Sequence, residues 1–120
     1  MTMKSILVMD DEMCVLESIR MILGDRYNVY LADNQYAAER ILEDHKVDLI
    51  TLEPLMAALD RSRFFRYLSE KHGDAKVIYV SSYGPDEFIH QPELIGISRY
   101  IPKPFDCSFV LNAVSEALSS

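Results

Sequence analysis

Short, continuous apolar runs alternate along the chain with segments whose apolar residues recur at helical spacing. The first run, Ser5-Ile6-Leu7-Val8-Met9, has no polar alternation and so predicts a strand buried on both faces. Val15, Leu16, Ile19, Ile22 and Leu23 then predict an amphipathic helix that closes at Gly24. Tyr27 to Leu31 reads as a second strand, and Asn34 as the N-cap of a helix that buries Ala37, Ala38, Ile41 and Leu42. The third strand, Val47 to Leu52, ends directly before Glu53.

Arg61 to His72 carries Phe64, Phe65 and Leu68 on one helical face and stops before Gly73. Lys76 to Val80 forms a fourth strand, after which Gly84-Pro85 opens another helix with proline in its first turn. Pro92 interrupts that segment, and within a helix interior it would cost about 3 kcal/mol, so this helix should be short or kinked. Arg99 to Ile101 is a brief fifth strand, and Phe109, Val110, Ala113, Val114, Ala117 and Leu118 make the stripe of a closing helix.

Strict alternation of β and α elements predicts an α/β fold, with a parallel sheet covered by helices on both faces. Polar residues follow four of the strands: Asp10-Asp11, Glu53, Ser81-Ser82 and Lys103-Pro104-Phe105. An open parallel sheet gathers such tips at its carboxyl edge, where its sites form.

A chain of 120 residues, 49% hydrophobic and 26% charged, suits one domain spanning residues 1–120. Cys14 and Cys107 lie within apolar helical patterns and are expected as buried free thiols in a reducing compartment. Too few apolar residues separate Met1 from Asp10 for a signal peptide or a membrane span, so the expected location is the cytoplasm, without membrane contact. A net charge of -7 argues against nucleic acid as a partner, and Arg61, Arg63, Arg66 and Lys71 read as a solvated helix face.

His45, His72 and His90 stand on separate elements without ligand spacing and are read as surface residues. Neither a GxSxG elbow nor a Gly-rich phosphate loop occurs, which removes the usual hydrolase and nucleotide-binding classes. Tyr79, Tyr83 and Tyr100 are read as aromatic packing around the fourth and fifth strands.

Over essentially its whole length the chain resembles the receiver domain of bacterial response regulators. Asp10-Asp11 looks like the family's acidic pair, Ser81 like its strand-four Ser or Thr, and Lys103-Pro104-Phe105 like its Lys-Pro-Phe signature. Tyr100 matches the aromatic whose rotamer reports activation. The resemblance implies a flavodoxin-like doubly wound sheet of strand order 2-1-3-4-5. It also implies a Mg2+ ion held by the acidic pair and a nucleophilic aspartate that accepts a phosphoryl group from a histidine kinase. Ser81 would bond a phosphoryl oxygen and Lys103 would pair with the phosphate.

The spacing of the family's Asp-x-x-Met-Pro pattern puts that aspartate position at Glu53 and the Met at Met56. Ala57 stands in place of the Pro, and Arg61 in place of the Gly that follows the position of Asp60. In-line phosphoryl transfer depends on positioning, and a shift on the order of 1 Å can cost about a hundredfold. The extra methylene of Glu53 therefore works against both phosphorylation and octahedral Mg2+ geometry. It also lets Glu53 reach Lys103 or Ser81, in partial imitation of a phosphoryl group.

The expectation is a pseudo-receiver, a phosphorylation-independent interaction module rather than an enzyme. It should hold no cofactor, or at most a weakly bound divalent cation such as Mg2+, Ca2+ or Mn2+ on Asp10, Asp11 and Glu53. Its partners would be signalling proteins such as a histidine kinase or an effector. A homodimer could form through the face built by the fourth helix, fifth strand and closing helix. Two other readings stand beside it: a working Mg2+-dependent phosphoacceptor that uses Glu53 or a neighbouring carboxylate, and a flavodoxin-like cofactor carrier.

Overall fold

Alternate residues of each strand serve two different cores. In a computed structural model, which describes residues 3–84 and 97–119, the elements run β1 (Ser5–Met9), α1 (Met13–Leu23), β2 (Asn28–Ala32), α2 (Gln35–Asp44), β3 (Leu49–Leu52), α3 (Arg61–Lys71), β4 (Lys76–Ser81), β5 (Ile97–Pro102) and α4 (Cys107–Ser119). All strand pairs are parallel, in the order β2-β1-β3-β4-β5. Leu7, Met9, Ile50, Leu52 and Tyr79 face α2 and α3, where they pack with Ala38, Leu42, Phe64 and Leu68. Ile6, Val8, Leu49, Ile78 and Val80 face α1 and α4, where they meet Leu16, Ile19, Val110 and Val114. Burial on both faces explains why β1, β3 and β4 read as largely apolar runs.

Local hydrogen bonds set the ends of the elements. The Asn34 side chain accepts from the Ala37 N–H at 2.8 Å, capping α2 as its position in the sequence predicts. Asp60 does the same for α3 through Arg63, and Asp106 accepts from the Phe109 N–H at the start of α4. The second strand begins at Asn28 rather than Tyr27, because the Tyr27 N–H is committed to the Leu23 carbonyl. The third begins at Leu49 rather than Val47; just before it, the Asp48 side chain holds the Ser5 N–H at 2.8 Å. The expected kinked helix around Pro85 and Pro92, and His90 within it, lie outside the described residues.

The structure corrects the expectation for both cysteines, which are exposed and free. Cys14 precedes Leu16 by two residues, about 200° around a helix from the buried stripe of Leu16, Ile19 and Leu23. Cys107 opens α4 within the exposed stretch 106–109, and Phe109 in that stretch is 47% exposed rather than part of the stripe. No helix among the described residues is long and apolar enough to cross a membrane.

Candidate functional site

The sheet brings the strand tips together through its own backbone bonds. The Asp10 N–H donates to the Ala32 carbonyl at 3.2 Å, the Glu53 N–H to Met9 at 3.0 Å and the Lys103 N–H to Ser81 at 2.9 Å. Each tip is thereby fixed to the strand beside it. Asp10, Glu53 and Ser81 are buried at 1%, 8% and 0% exposure.

Lys103 reaches in from the end of β5 and offsets part of the charge of this cluster. Its Nζ lies 2.8 Å from Asp10 Oδ2 and 3.1 Å from Glu53 Oε1, with Glu12 Oε1 farther off at 3.5 Å. Glu53 Oε2 accepts from the Leu55 N–H at 3.1 Å, and Asp10 Oδ1 from the Glu12 N–H at 2.9 Å. Burial pushes the Asp10 carboxyl above its ordinary pKa; Lys103 and the Glu12 N–H offset part of that, and the nearby Glu53 charge adds to it. Burial disfavours the Lys103 ammonium too, but Asp10 and Glu53 together outweigh it and raise the lysine pKa. The two directions agree, because the lysine has two carboxylates while each carboxylate shares one lysine.

Ser81 and Tyr100 are engaged on the adjoining strands. The Ser81 Oγ accepts from the Tyr83 N–H at 3.2 Å, and its carbonyl accepts from the Tyr100 hydroxyl at 3.0 Å. Burial raises the Tyr100 pKa, and Glu53 adds to the effect. Of the expected tyrosine cluster, Tyr79 is buried against Phe65 whereas Tyr83 is 53% exposed, since Tyr83 lies beyond the end of β4. An open cavity of about 380 Å³ lies beside Lys103, lined by Glu12, Cys14, Ser82 and Phe105 among others.

Asp11, the other member of the acidic pair, is exposed and accepts the Ala57 N–H at 2.8 Å. A Mg2+ ion requires converging oxygen donors in near-octahedral array. Here the ammonium stands between Asp10 and Glu53, and Asp11 is directed to the loop. No three His, Cys, Asp or Glu side chains among the described residues are arranged to hold an ion. The donor set in this arrangement does not fit the metal that the resemblance implies.

Several participants carry no side-chain signal in the sequence, notably the Leu55 and Ala57 N–H groups. Gln35 carries none either. It is buried at 8% exposure, accepts the Asp60 N–H at 2.9 Å and donates to Glu39 at 2.9 Å, tying the loop after β3 to α2. Glu39 is also held by Arg63 through two 3.1 Å contacts, so part of the basic face is engaged between helices. His45 is exposed, as expected, and stacks on Tyr30 with ring centroids 4.5 Å apart.

Residues 6–115 match the family described as "Response regulator receiver domain". The chain is 32% identical over 119 residues to the chemotaxis protein CheY of Treponema pallidum, covering 94% of this chain and 81% of the relative. It is 24% identical to the sporulation initiation phosphotransferase F of Bacillus subtilis, over 96% of this chain and 94% of that one. Among solved structures, a response regulator from Thermotoga maritima aligns at TM-score 0.85 and 26% identity, over 98% of this chain and 99% of the other. A CheY-like receiver domain protein from Methanospirillum hungatei aligns at TM-score 0.87 and 23% identity, over 98% and 95%. With the β2-β1-β3-β4-β5 sheet and the strand tips that it gathers, these matches show that the chain belongs to the response regulator receiver domain family of two-component signalling.

Proposed function

We propose that this receiver domain is a pseudo-receiver: it transmits signals through protein contacts without being phosphorylated on Glu53. The observation that carries the reading is the Glu53 carboxylate itself, buried at the carboxyl end of β3 and bonded to Lys103 on one oxygen and to the Leu55 N–H on the other. An acceptor carboxylate needs a free oxygen in line with an incoming phosphoryl group, together with a cation to neutralise the developing charge. Each Glu53 oxygen already accepts a hydrogen bond, from Lys103 or from Leu55, and the lysine that would steady a phosphoryl group is shared between Asp10 and Glu53.

The charge-assisted Glu53–Lys103 bond stands where a phosphoryl–lysine bond would form in a working receiver, and so holds the pocket in one arrangement. Partners are signalling proteins, such as a kinase or an effector. The β5–α4 face supports this, since exposed Phe109 lies beside the Arg99–Glu116 ion pair and offers both apolar and charged contacts.

The test is incubation with Mg2+ and a small phosphodonor such as acetyl phosphate, followed by intact-mass measurement. The native protein should gain no phosphoryl group, and a gain of one would establish the competing phosphoacceptor reading. A purified protein that carries a flavin or nucleotide would instead establish the cofactor-carrier reading.

A further inference from the structure

A second restraint on the acidic cluster is independent of Glu53. The Ala57 N–H donates to Asp11 Oδ2 at 2.8 Å, linking positions 46 residues apart. Ala57 lies in the loop between β3 and α3, and neighbouring bonds fix that loop in place. Met56 is buried at 4% exposure, its N–H bonds the Glu53 carbonyl at 3.2 Å, and the Asp60 N–H is held by Gln35. The amide is thus presented to Asp11 by packed structure on both sides of it.

We infer that the Ala57 N–H is a latch holding Asp11 away from Asp10 and Glu53, so that two separate restraints, Glu53 on Lys103 and Ala57 on Asp11, exclude a divalent cation of the Mg2+ class. The inference rests on the pseudo-receiver reading and adds a positioning role for a backbone group. Side-chain chemistry at residue 57 is irrelevant to the latch; possession of an N–H is decisive. Proline lacks that donor, whereas glycine keeps it.

The experiment compares Glu53→Asp, Glu53→Asp/Ala57→Pro and Glu53→Asp/Ala57→Gly in the full chain. Mg2+ binding is followed by calorimetry and Mn2+ binding by electron paramagnetic resonance. The proline variant should bind about tenfold more tightly than Glu53→Asp, as expected for release of one hydrogen bond to a charged group, and the glycine variant should match Glu53→Asp. Equal affinity of the proline variant and Glu53→Asp overturns the latch, and so does a glycine variant that behaves like the proline one. Should the proline variant fail to fold, the Ala57 amide is followed by NMR in Glu53→Asp during a Mg2+ titration to 100 mM. That resonance should lose its hydrogen-bonded shift and its protection from exchange as Mg2+ binds; an amide that remains bonded while the resonances of Asp10 and of the substituted position 53 report bound Mg2+ overturns the latch. Failure of the pseudo-receiver reading is a different result, namely phosphorylation of the native protein.

Discussion

The Nζ of Lys103 stands 3.1 Å from the Oε1 of Glu53, a residue 50 positions earlier in the chain, and the same ammonium lies 2.8 Å from Asp10. All three side chains are nearly excluded from water, with exposures of 10%, 11% and 2%. Removing the shared cation leaves two buried carboxylates without a counter-charge.

Lys103→Met should therefore lower the unfolding free energy by about 3 kcal/mol, as for a buried ion pair that loses one partner. Urea denaturation at neutral pH measures it. A loss below about 1 kcal/mol, in the range of exposed pairs, would show that water already solvates the cluster.

Asp10 should make stability fall as the pH rises across the acid range. Its pKa in the folded chain is higher than the ordinary 3.8, so the folded state binds its proton more readily than the unfolded state. The associated stability is complete below 3.8 and is lost as the pH rises through the folded value. Lys103 has the same sign at the other end of the scale: its contribution is complete below 10.5 and is lost as the pH climbs through its raised value. Denaturation across the acid range for the native protein and for Asp10→Asn checks the first limb. The native-minus-variant difference should drop between 3.8 and the folded value, then flatten. A difference that rises over that interval would show pairing with Lys103 to outweigh burial.

Ala58 has φ 59°, in the left-handed region where a Cβ costs about 1–2 kcal/mol. Ala58→Gly relieves that cost but loosens the unfolded chain, so the net gain should be about 1 kcal/mol or less. The thermal midpoint should rise by a few degrees, on the order of 4 °C. An unchanged or lowered midpoint would contradict the strain.

Both thiols should react with an aromatic disulfide reagent in the native protein, without denaturant, because Cys14 and Cys107 are exposed. One or both reacting only after unfolding would restore the buried reading that their apolar surroundings in the sequence suggest.

That last case shows where sequence reading succeeds and where it stops. Strands buried on both faces announce themselves as apolar runs, and Asp10, Glu53 and Ser81 could be placed together because each directly follows such a run, while Lys103 follows the shorter, mixed segment Arg99 to Ile101. Cys14 fails because apolar neighbours do not by themselves fix the angle around the helix. Gln35 and the Ala57 N–H fail for another reason: a buried amide side chain looks like any surface glutamine, and backbone donors leave no mark in a sequence except where proline removes them.

Lys103 touches more of the sheet than its position at one end suggests. Its main chain is bonded to β4, and its side chain grips the residues that end β3 and β1, so this single residue spans four adjacent strands from the outermost one inward. The end of β5 cannot peel from the sheet without opening the carboxylate cluster, and the cluster cannot open without slackening the end of β5. Fraying at the rim and rearrangement at the centre are thus one event, and the exchange rate of the Lys103 amide would report both.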